Sequence, residues 1–251
     1  EQYRRADSLE ASGEIARAVV IAKVSNSRVV LLRAVREHPE SSGAGKLAET
    51  ANHLAEILKA LESPQPLDTV RGLEGEAARK YFEVFDHPIV AQKEDYFFKE
   101  RSRRPPLDNM NALLSFLYTV LAHDVASALE TVGLDPAVGY LHRDRPGRPG
   151  LALDIMEEFR PFLADRLALS LVNLKQITGK GFKKTESGAV VMDDETRKEV
   201  IVAYQNRKQE EITHPFLGEK VALGLLPYAQ ALLLARFMRG DMDGYPPFLW
   251  R

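Results

Sequence analysis

A glutamate at residue 74 falls on the apolar side of a predicted helix. At about 100° per residue, the helix predicted over residues 68–85 places Glu74 on its apolar stripe. The other members of that stripe are Val70, Ala77, Ala78, Tyr81 and Phe85. A carboxylate in a packing face is costly unless it is paired, protonated or bound to a metal. Glu74 is therefore predicted to form a buried ion pair, to lie at the rim of a cleft, or to take part in a functional site.

Three further acids, Asp154, Glu157 and Glu158, lie within one turn of a second helix predicted over residues 151–172. Their i, i+3 and i+4 spacing allows the carboxylates to converge. The clearest apolar stripe of that helix lies opposite, which favours a solvated acidic face that complements the helix dipole. A metal site is the alternative interpretation, since Leu151 and Phe162 fall near the acidic side and make full exposure of that face improbable.

His142 lies in a loop rich in glycine, proline and arginine, about one helical turn before these acids. A lone loop histidine is usually a surface residue, but its neighbours make a mixed nitrogen and oxygen metal site plausible. One imidazole with two carboxylates suits Mn²⁺ or Mg²⁺. The chain has no cysteine, which argues against structural zinc.

His123 and Asp124 form another candidate pair, because a His-Asp pair on a helix is typical of a class of metal phosphohydrolases. Asp124 projects onto an apolar stripe, so it needs a polar partner, and we favour a structural hydrogen-bond network for it. His53 and the pair Asp86-His87 are the other candidate ligands.

Two arginine-rich segments, 101–104 and 143–148, suit contacts with phosphate groups. Such loops are more often simply solvated. The formal net charge of the chain is only −2, so any interaction with nucleic acid depends on these local patches.

Helical periodicity dominates the sequence and predicts a mainly α, helical bundle-like domain that spans residues 1–251. Asp68 and Asp108 are predicted to cap helices, and glycines in the segment 178–191 allow one short β-hairpin at most. Predicted helices cover residues 8–36, 46–61, 68–85, 110–132, 151–172, 196–211 and 217–239.

The most apolar stretch, residues 221–238, is interrupted by Gly224, Pro227, Gln230 and Arg236, which argues against a membrane span. Residues 1–7 lack the apolar centre of a secretory signal. We therefore expect a cytoplasmic location and no membrane partner.

Several strings, spread in order over almost the whole chain, together resemble the CRISPR-associated adaptation endonuclease/integrase family, in its branch from small, type I-C-like systems. They are GLEGEAARKYF (72–82), RRPPLDNMNALLSF (103–116), GYLH (139–142), LDIMEEFRP (153–161) and YPPFLWR (245–251).

The resemblance implies that Glu74, His142 and Glu157 are metal ligands, with Asp154 beside them as a supporting acid. It implies bound Mn²⁺ or Mg²⁺, cleavage of nucleic acid, and insertion of new spacers into a CRISPR array by transesterification of DNA 3′-hydroxyls onto the repeat. The arginines that it favours for DNA contact are Arg103, Arg104, Arg143 and Arg148.

The resemblance also implies partners: DNA, as prespacer and CRISPR repeat, a second copy of the chain, and a small ferredoxin-like CRISPR protein. The family normally carries an N-terminal β-rich domain. Residues 1–7 are linker-like, so we expect this chain to be the catalytic domain without that β-domain. Two alternatives stay open, namely a His-Asp phosphohydrolase and a non-enzymatic helical module that binds DNA or protein.

Overall fold

Helices form most of the molecule in the computed structural model, which describes residues 1–142 and 145–250. The helices are α1 (Gln2–Ala6), α2 (Leu9–Glu37), α3 (Ala44–Ala60), α4 (Leu67–Glu83), α5 (Asn109–Thr131), α6 (Gly150–Phe159), α7 (Arg166–Asn173), α8 (Asp194–Gln209) and α9 (Leu226–Arg239). One hydrophobic core includes side chains from α2 to α9: Ile15, Leu47, Val70, Leu113, Ile155, Leu167, Val200 and Leu234. The predicted mainly α fold is confirmed.

Helix α2 is the longest element, and α3, α4 and α6 all pack against it. It begins after Ser8, whose hydroxyl accepts a hydrogen bond from the Ala11 amide at 3.3 Å, as a helix cap should. Because its neighbours surround it, α2 buries the polar side chains Lys23 and Asn26 as well as its apolar ones.

Helix α4 begins at Leu67, directly after Pro66, so the predicted capping role of Asp68 is wrong. The extended backbone of Pro66 already occupies the capping position. Asp68 lies within the first turn instead, where its carboxylate accepts a hydrogen bond from Arg71 at 3.0 Å and complements the helix dipole.

Helix α5 is long and apolar enough to cross a membrane by length and composition alone. In this fold it contacts α6 and α9, and Leu113, Leu117 and Leu121 are fully buried. Its apolar character is therefore explained by its central position. The predicted cap is confirmed, since Asp108 accepts a hydrogen bond from the Asn111 amide at 2.7 Å.

The single helix predicted over residues 151–172 is interrupted by a π-helical segment, Arg160–Asp165, between α6 and α7. Pro161 lies in this segment. It has no amide hydrogen to donate, and its ring would clash with a carbonyl one turn earlier in a regular α-helix. A local widening of the helix relieves that clash.

Two antiparallel hairpins complete the fold. The predicted hairpin is confirmed: β1 (Phe182–Lys184) pairs with β2 (Val190–Met192), with Phe182 opposite Met192. A second hairpin pairs β3 (Glu211–Thr213) with β4 (Lys220–Ala222).

This second hairpin makes the predicted helix start at residue 217 wrong. Gly218 adopts a φ of +70°, which ends helical continuity, and α9 begins only at Leu226 with Pro227 in its first turn.

Residues near both ends of the chain pack onto the core. The linker-like residues 1–7 contain α1, and the Gln2 amide donates to the Asp135 carbonyl at 2.8 Å. At the other end, the amide nitrogen of Asn26 donates to the Phe248 carbonyl at 2.9 Å, and the Asn26 amide oxygen accepts from Trp250 N at 2.8 Å. Asn26 therefore ties the segment 245–250, called the C-terminal strap below, to α2.

Candidate functional site

Two glutamates from different helices meet at one buried cation. Lys23 of α2 contacts Glu74 of α4 through Oε1, and its ammonium lies 2.8 Å from Oε2 of Glu157 on α6. Only 9% of the Lys23 side chain and 4% of the Glu157 side chain are exposed. The ion pair predicted for Glu74 is thus present, and the arrangement joins the two glutamates that the family resemblance selected.

Opposing effects set the protonation of this pair. Burial lowers the pKa of Lys23, but the charges of Glu157 and Glu74 outweigh it and leave the pKa raised overall. Burial likewise raises the pKa of Glu157, and the charges of Arg160 and Lys23 bring it well below its usual range. At neutral pH the lysine is therefore an ammonium and Glu157 a carboxylate.

The two oxygens of Glu157 meet different cations. Arg160 donates to Oε1 at 2.6 Å, whereas Oε2 faces the Lys23 ammonium at 2.8 Å. Apart from that ammonium, Oε2 has no hydrogen-bond partner among the described residues. Displacement of Lys23 would therefore leave its lone pairs available for another cation.

His142 is oriented by Asp154. The imidazole Nδ1 lies 2.6 Å from Oδ1 of Asp154, a fully buried residue. The same carboxylate accepts hydrogen bonds from the backbone amides of Tyr140, Leu141 and His142, at 2.6, 3.0 and 3.0 Å. Because Asp154 binds Nδ1, the other ring nitrogen, Nε2, is left available as a ligand.

The loop that carries His142 is also tied to α4. Arg71 Nε donates to the Leu141 carbonyl at 2.8 Å, and Arg71 lies one turn before Glu74. Asp154, which binds the imidazole, lies three residues before Glu157 on α6, and the charge of His142 contributes to the low pKa of Glu157. Glu74, His142 and Glu157 thus surround one region of the molecule.

The favoured interpretation of the three acids as a solvated face is wrong, because Asp154, Glu157 and Glu158 are all buried. They also point to different partners. Glu158 accepts hydrogen bonds from the Tyr245 hydroxyl at 2.6 Å and the Phe248 amide at 2.7 Å, both in the C-terminal strap. Burial raises the pKa of Glu158 to about 7 despite these bonds.

Lys23, Arg160 and Asp165 also belong to this region and were not among the residues predicted from the sequence. Arg160 packs over the Tyr118 ring at 4.2 Å, and Asp165 accepts hydrogen bonds from Tyr118 at 2.5 Å and Tyr81 at 3.0 Å. Burial raises the pKa of Asp165 to about 6, against the lowering effect of these hydroxyls and of Arg160. A lone lysine within the apolar run 18–24 was the one available signal.

The donor set suits a hard divalent cation, because it consists of two carboxylates and an oriented imidazole. Within residues 1–142 and 145–250, no three His, Asp or Glu side chains stand close enough to hold a metal ion as they are. The Lys23 ammonium contacts both glutamates instead. The residues therefore fit Mn²⁺ or Mg²⁺ in chemistry, provided that Lys23 moves.

Basic side chains from two loops come together near His142. Arg103 and Arg104 are exposed, and their charges, with that of Arg145, help burial to lower the pKa of Arg148, so the two loops are neighbours. Arg143 lies outside the described residues. Arg101 differs, because it donates to Asn111 at 2.7 Å and is held within the fold.

The other candidate ligands have separate partners. Asp124 accepts from the Tyr204 hydroxyl at 2.9 Å and Lys208 at 2.8 Å, which confirms the predicted polar network, while its neighbour His123 is exposed. His53 pairs with Glu76 at 2.8 Å. Asp86 binds Lys93 and the Phe98 amide. The geometry does not favour the His-Asp phosphohydrolase.

A helical domain with a carboxylate-histidine site beside basic loops is a combination found in metal-dependent nucleic-acid enzymes. The family described as CRISPR associated protein Cas1 matches residues 1–206, and the chain therefore belongs to this family. The family predicted from the sequence strings is confirmed.

Curated relatives agree with this assignment. The chain is 55% identical to CRISPR-associated endonuclease Cas1 1 of Chlorobaculum tepidum, over 100% of this chain and 73% of the relative. It is 45% identical to CRISPR-associated endonuclease Cas1 of Leptospira interrogans, over 100% of this chain and 98% of the relative.

Solved structures share the fold. A Cas1 protein from Thermotoga maritima superposes with a TM-score of 0.78 at 28% identity, over 95% of this chain and 69% of that one. A casposase bound to integration product superposes with a TM-score of 0.85 over 100% of this chain and 67% of that one. At 24% identity, the second likeness concerns the fold alone.

Proposed function

We propose that this chain is a divalent-metal-dependent DNA endonuclease/integrase that inserts new spacers into a CRISPR array. The observation that carries the proposal is the meeting of Glu74 and Glu157 at one buried cation, with His142 held beside them, in a member of the Cas1 family. The Lys23 ammonium already places a positive charge between the two glutamates, which supports the binding of a cation there.

Glu74, His142 and Glu157 would hold Mn²⁺ or Mg²⁺, and Asp154 would fix the orientation of the imidazole. A divalent cation bound there supplies activation of an attacking oxygen and neutralises charge on the phosphate. Arg160 keeps Glu157 in place through its 2.6 Å hydrogen bond.

The reaction proposed is transesterification. A 3′-hydroxyl of the new DNA fragment loses its proton and attacks a phosphodiester of the repeat, so that one new oxygen–phosphorus bond forms. One repeat oxygen–phosphorus bond breaks, and its oxygen leaves as a new 3′-hydroxyl after taking up a proton. Arg103, Arg104 and Arg148, with Arg143, would bind the DNA backbone during this exchange.

The proposal includes the family's partners and setting. These are DNA as prespacer and repeat, a second copy of the chain, a small ferredoxin-like CRISPR protein, a type I-C-like system and a cytoplasmic location. It draws on similarity to a chain of a partial Cas6-RT-Cas1–Cas2 complex, at a TM-score of 0.80 and 27% identity.

The test compares Glu74→Ala, His142→Ala and His123→Ala for Mn²⁺-dependent cleavage of branched DNA. We expect the first two to lower the rate by about 100-fold or more, because each removes a metal ligand. His123→Ala is the matched control and should retain full activity.

Three other results would contradict the proposal. Loss with His123→Ala alone would favour a His-Asp phosphohydrolase. Absence of Mn²⁺-dependent cleavage in the unsubstituted protein would favour a non-enzymatic helical module, and cleavage unaffected in all three variants would exclude Glu74 and His142 from the reaction.

A further inference from the structure

Lys23 contacts both proposed metal ligands that come from helices. Its ammonium is an ion-pair partner of Glu74 and lies 2.8 Å from Glu157 Oε2. A lysine is rarely buried without a partner, and two glutamates facing each other without a cation would repel. Each of the three side chains therefore depends on the others.

From this geometry we infer that Lys23 is an internal counter-cation that holds the two glutamates together before a metal binds and must leave when one does. The inference rests on the proposed function, since it assumes that Glu74 and Glu157 are metal ligands. It adds a role for a residue that the resemblance does not assign.

The contacts explain why metal and lysine compete. The Lys23 ammonium contacts Oε2 of Glu157, an oxygen with no other partner among the described residues. Arg160 already donates to the other oxygen, Oε1. A metal ion that bound Glu157 at Oε2 would meet the ammonium, and two cations at so short a distance repel each other strongly.

A small cavity lies beside Lys23. Its volume is about 20 Å³, and it is lined also by Ser27, Tyr118, Arg160 and Asp165. That is room for about one water molecule. Because the Asp165 carboxylate lines the same cavity, it is the acid that a displaced ammonium would meet there.

The experiment measures Mn²⁺ binding to the metal-free protein by the electron paramagnetic resonance signal of free Mn²⁺, together with thermal unfolding. Lys23→Met keeps the side-chain length and removes the charge. We expect about tenfold or tighter Mn²⁺ binding, because the competing cation is gone. The metal-free variant should unfold at a lower temperature than the unsubstituted protein.

Two control variants and one replacement variant complete the series. Lys59→Met removes a charge from the exposed end of α3 and should leave Mn²⁺ affinity unchanged. Lys23→Arg keeps the charge and should not tighten Mn²⁺ binding. Lys23→Gln, which still donates hydrogen bonds to the carboxylates, replaces Lys23→Met if that variant does not fold.

Equal or weaker Mn²⁺ binding in Lys23→Met or Lys23→Gln would overturn the inference. Glu157→Gln separates this failure from failure of the proposed function. If Glu157→Gln weakens Mn²⁺ binding while the Lys23 variants do not tighten it, the metal site is supported and the proposed role of Lys23 is wrong. If no protein in the series binds Mn²⁺, the proposed metal site itself fails.

Discussion

Asp165 illustrates how a single buried acid can make stability depend on pH. It accepts hydrogen bonds from Tyr81 and Tyr118, yet burial raises its pKa to about 6. The carboxyl group is therefore protonated more readily in the folded chain than in the unfolded one, where an aspartate titrates near pH 3.9. Its contribution to stability is fully present below that lower pH and is lost as the pH rises through about 6.

Asp165→Asn should remove this pH dependence. We expect the stability advantage of the unsubstituted protein over the variant to be greater at pH 5 than at pH 7.5, by about 1 kcal/mol. Urea denaturation at the two pH values measures it. Ala164→Gly, a neighbouring substitution without a titratable group, is the control. It should lower the free energy of unfolding by the same amount at both pH values. If Asp165→Asn lowers the free energy of unfolding by the same amount at both pH values, the prediction is contradicted.

At the scale of elements, helix caps connect local sequence to the shape of the basic loop. Asp108 caps α5 by accepting from the Asn111 amide, and its second oxygen accepts from the Asn111 side chain at 2.7 Å. The Asn111 side chain in turn binds Arg101 and the carbonyl of Glu100. The start of α5 therefore also fixes the loop that leads to Arg103 and Arg104.

Asp108→Ala should destabilise the protein by about 1 kcal/mol or somewhat more, since it removes a cap and a support of the loop. Ser8→Ala, at the cap of α2, is the matched comparison and should cost less, because its hydrogen bond is longer, at 3.3 Å. Urea denaturation of both variants measures the difference. A larger loss of stability for Ser8→Ala than for Asp108→Ala would contradict this prediction.

Elements governed by neighbouring residues were predictable from sequence. Ser8 and Asp108 mark true helix starts, and the misplaced charge of Glu74 pointed to an ion pair that exists. Features that depend on distant partners were not. Lys23 lies 51 residues from Glu74. Leu151 and Phe162 argued against full exposure of the acidic face, but they did not indicate that Glu158 binds the C-terminal strap.

At the scale of the whole molecule, the net charge of −2 gives no general attraction for DNA. Arg103, Arg104, Arg145 and Arg148 form a local basic patch on two neighbouring loops, the second of which follows His142 in the chain. Binding to a phosphate backbone should therefore depend on this patch and weaken steeply as salt rises, through release of counterions.

Joint replacement of Arg103 and Arg104 by alanine should weaken binding to DNA of any sequence. It should also reduce the slope of log affinity against log salt by about 1.8, or roughly 0.9 for each phosphate that is no longer neutralised. Fluorescence anisotropy with duplex DNA over a salt series measures the slope. Joint replacement of Arg197 and Arg239, which changes net charge equally, should leave it unaltered. An unchanged slope in the first variant would exclude these arginines from DNA binding.

The hydrogen bonds between Asn26 and the C-terminal strap have a consequence for folding during synthesis. Two hydrogen bonds of Asn26 are made with Phe248 and Trp250, which are synthesised 222 and 224 positions later. Glu158 also depends on the same strap, because Tyr245 and Phe248 donate to it. The nascent polypeptide therefore cannot complete the contacts of the strap with α2 and α6 until translation has passed residue 250.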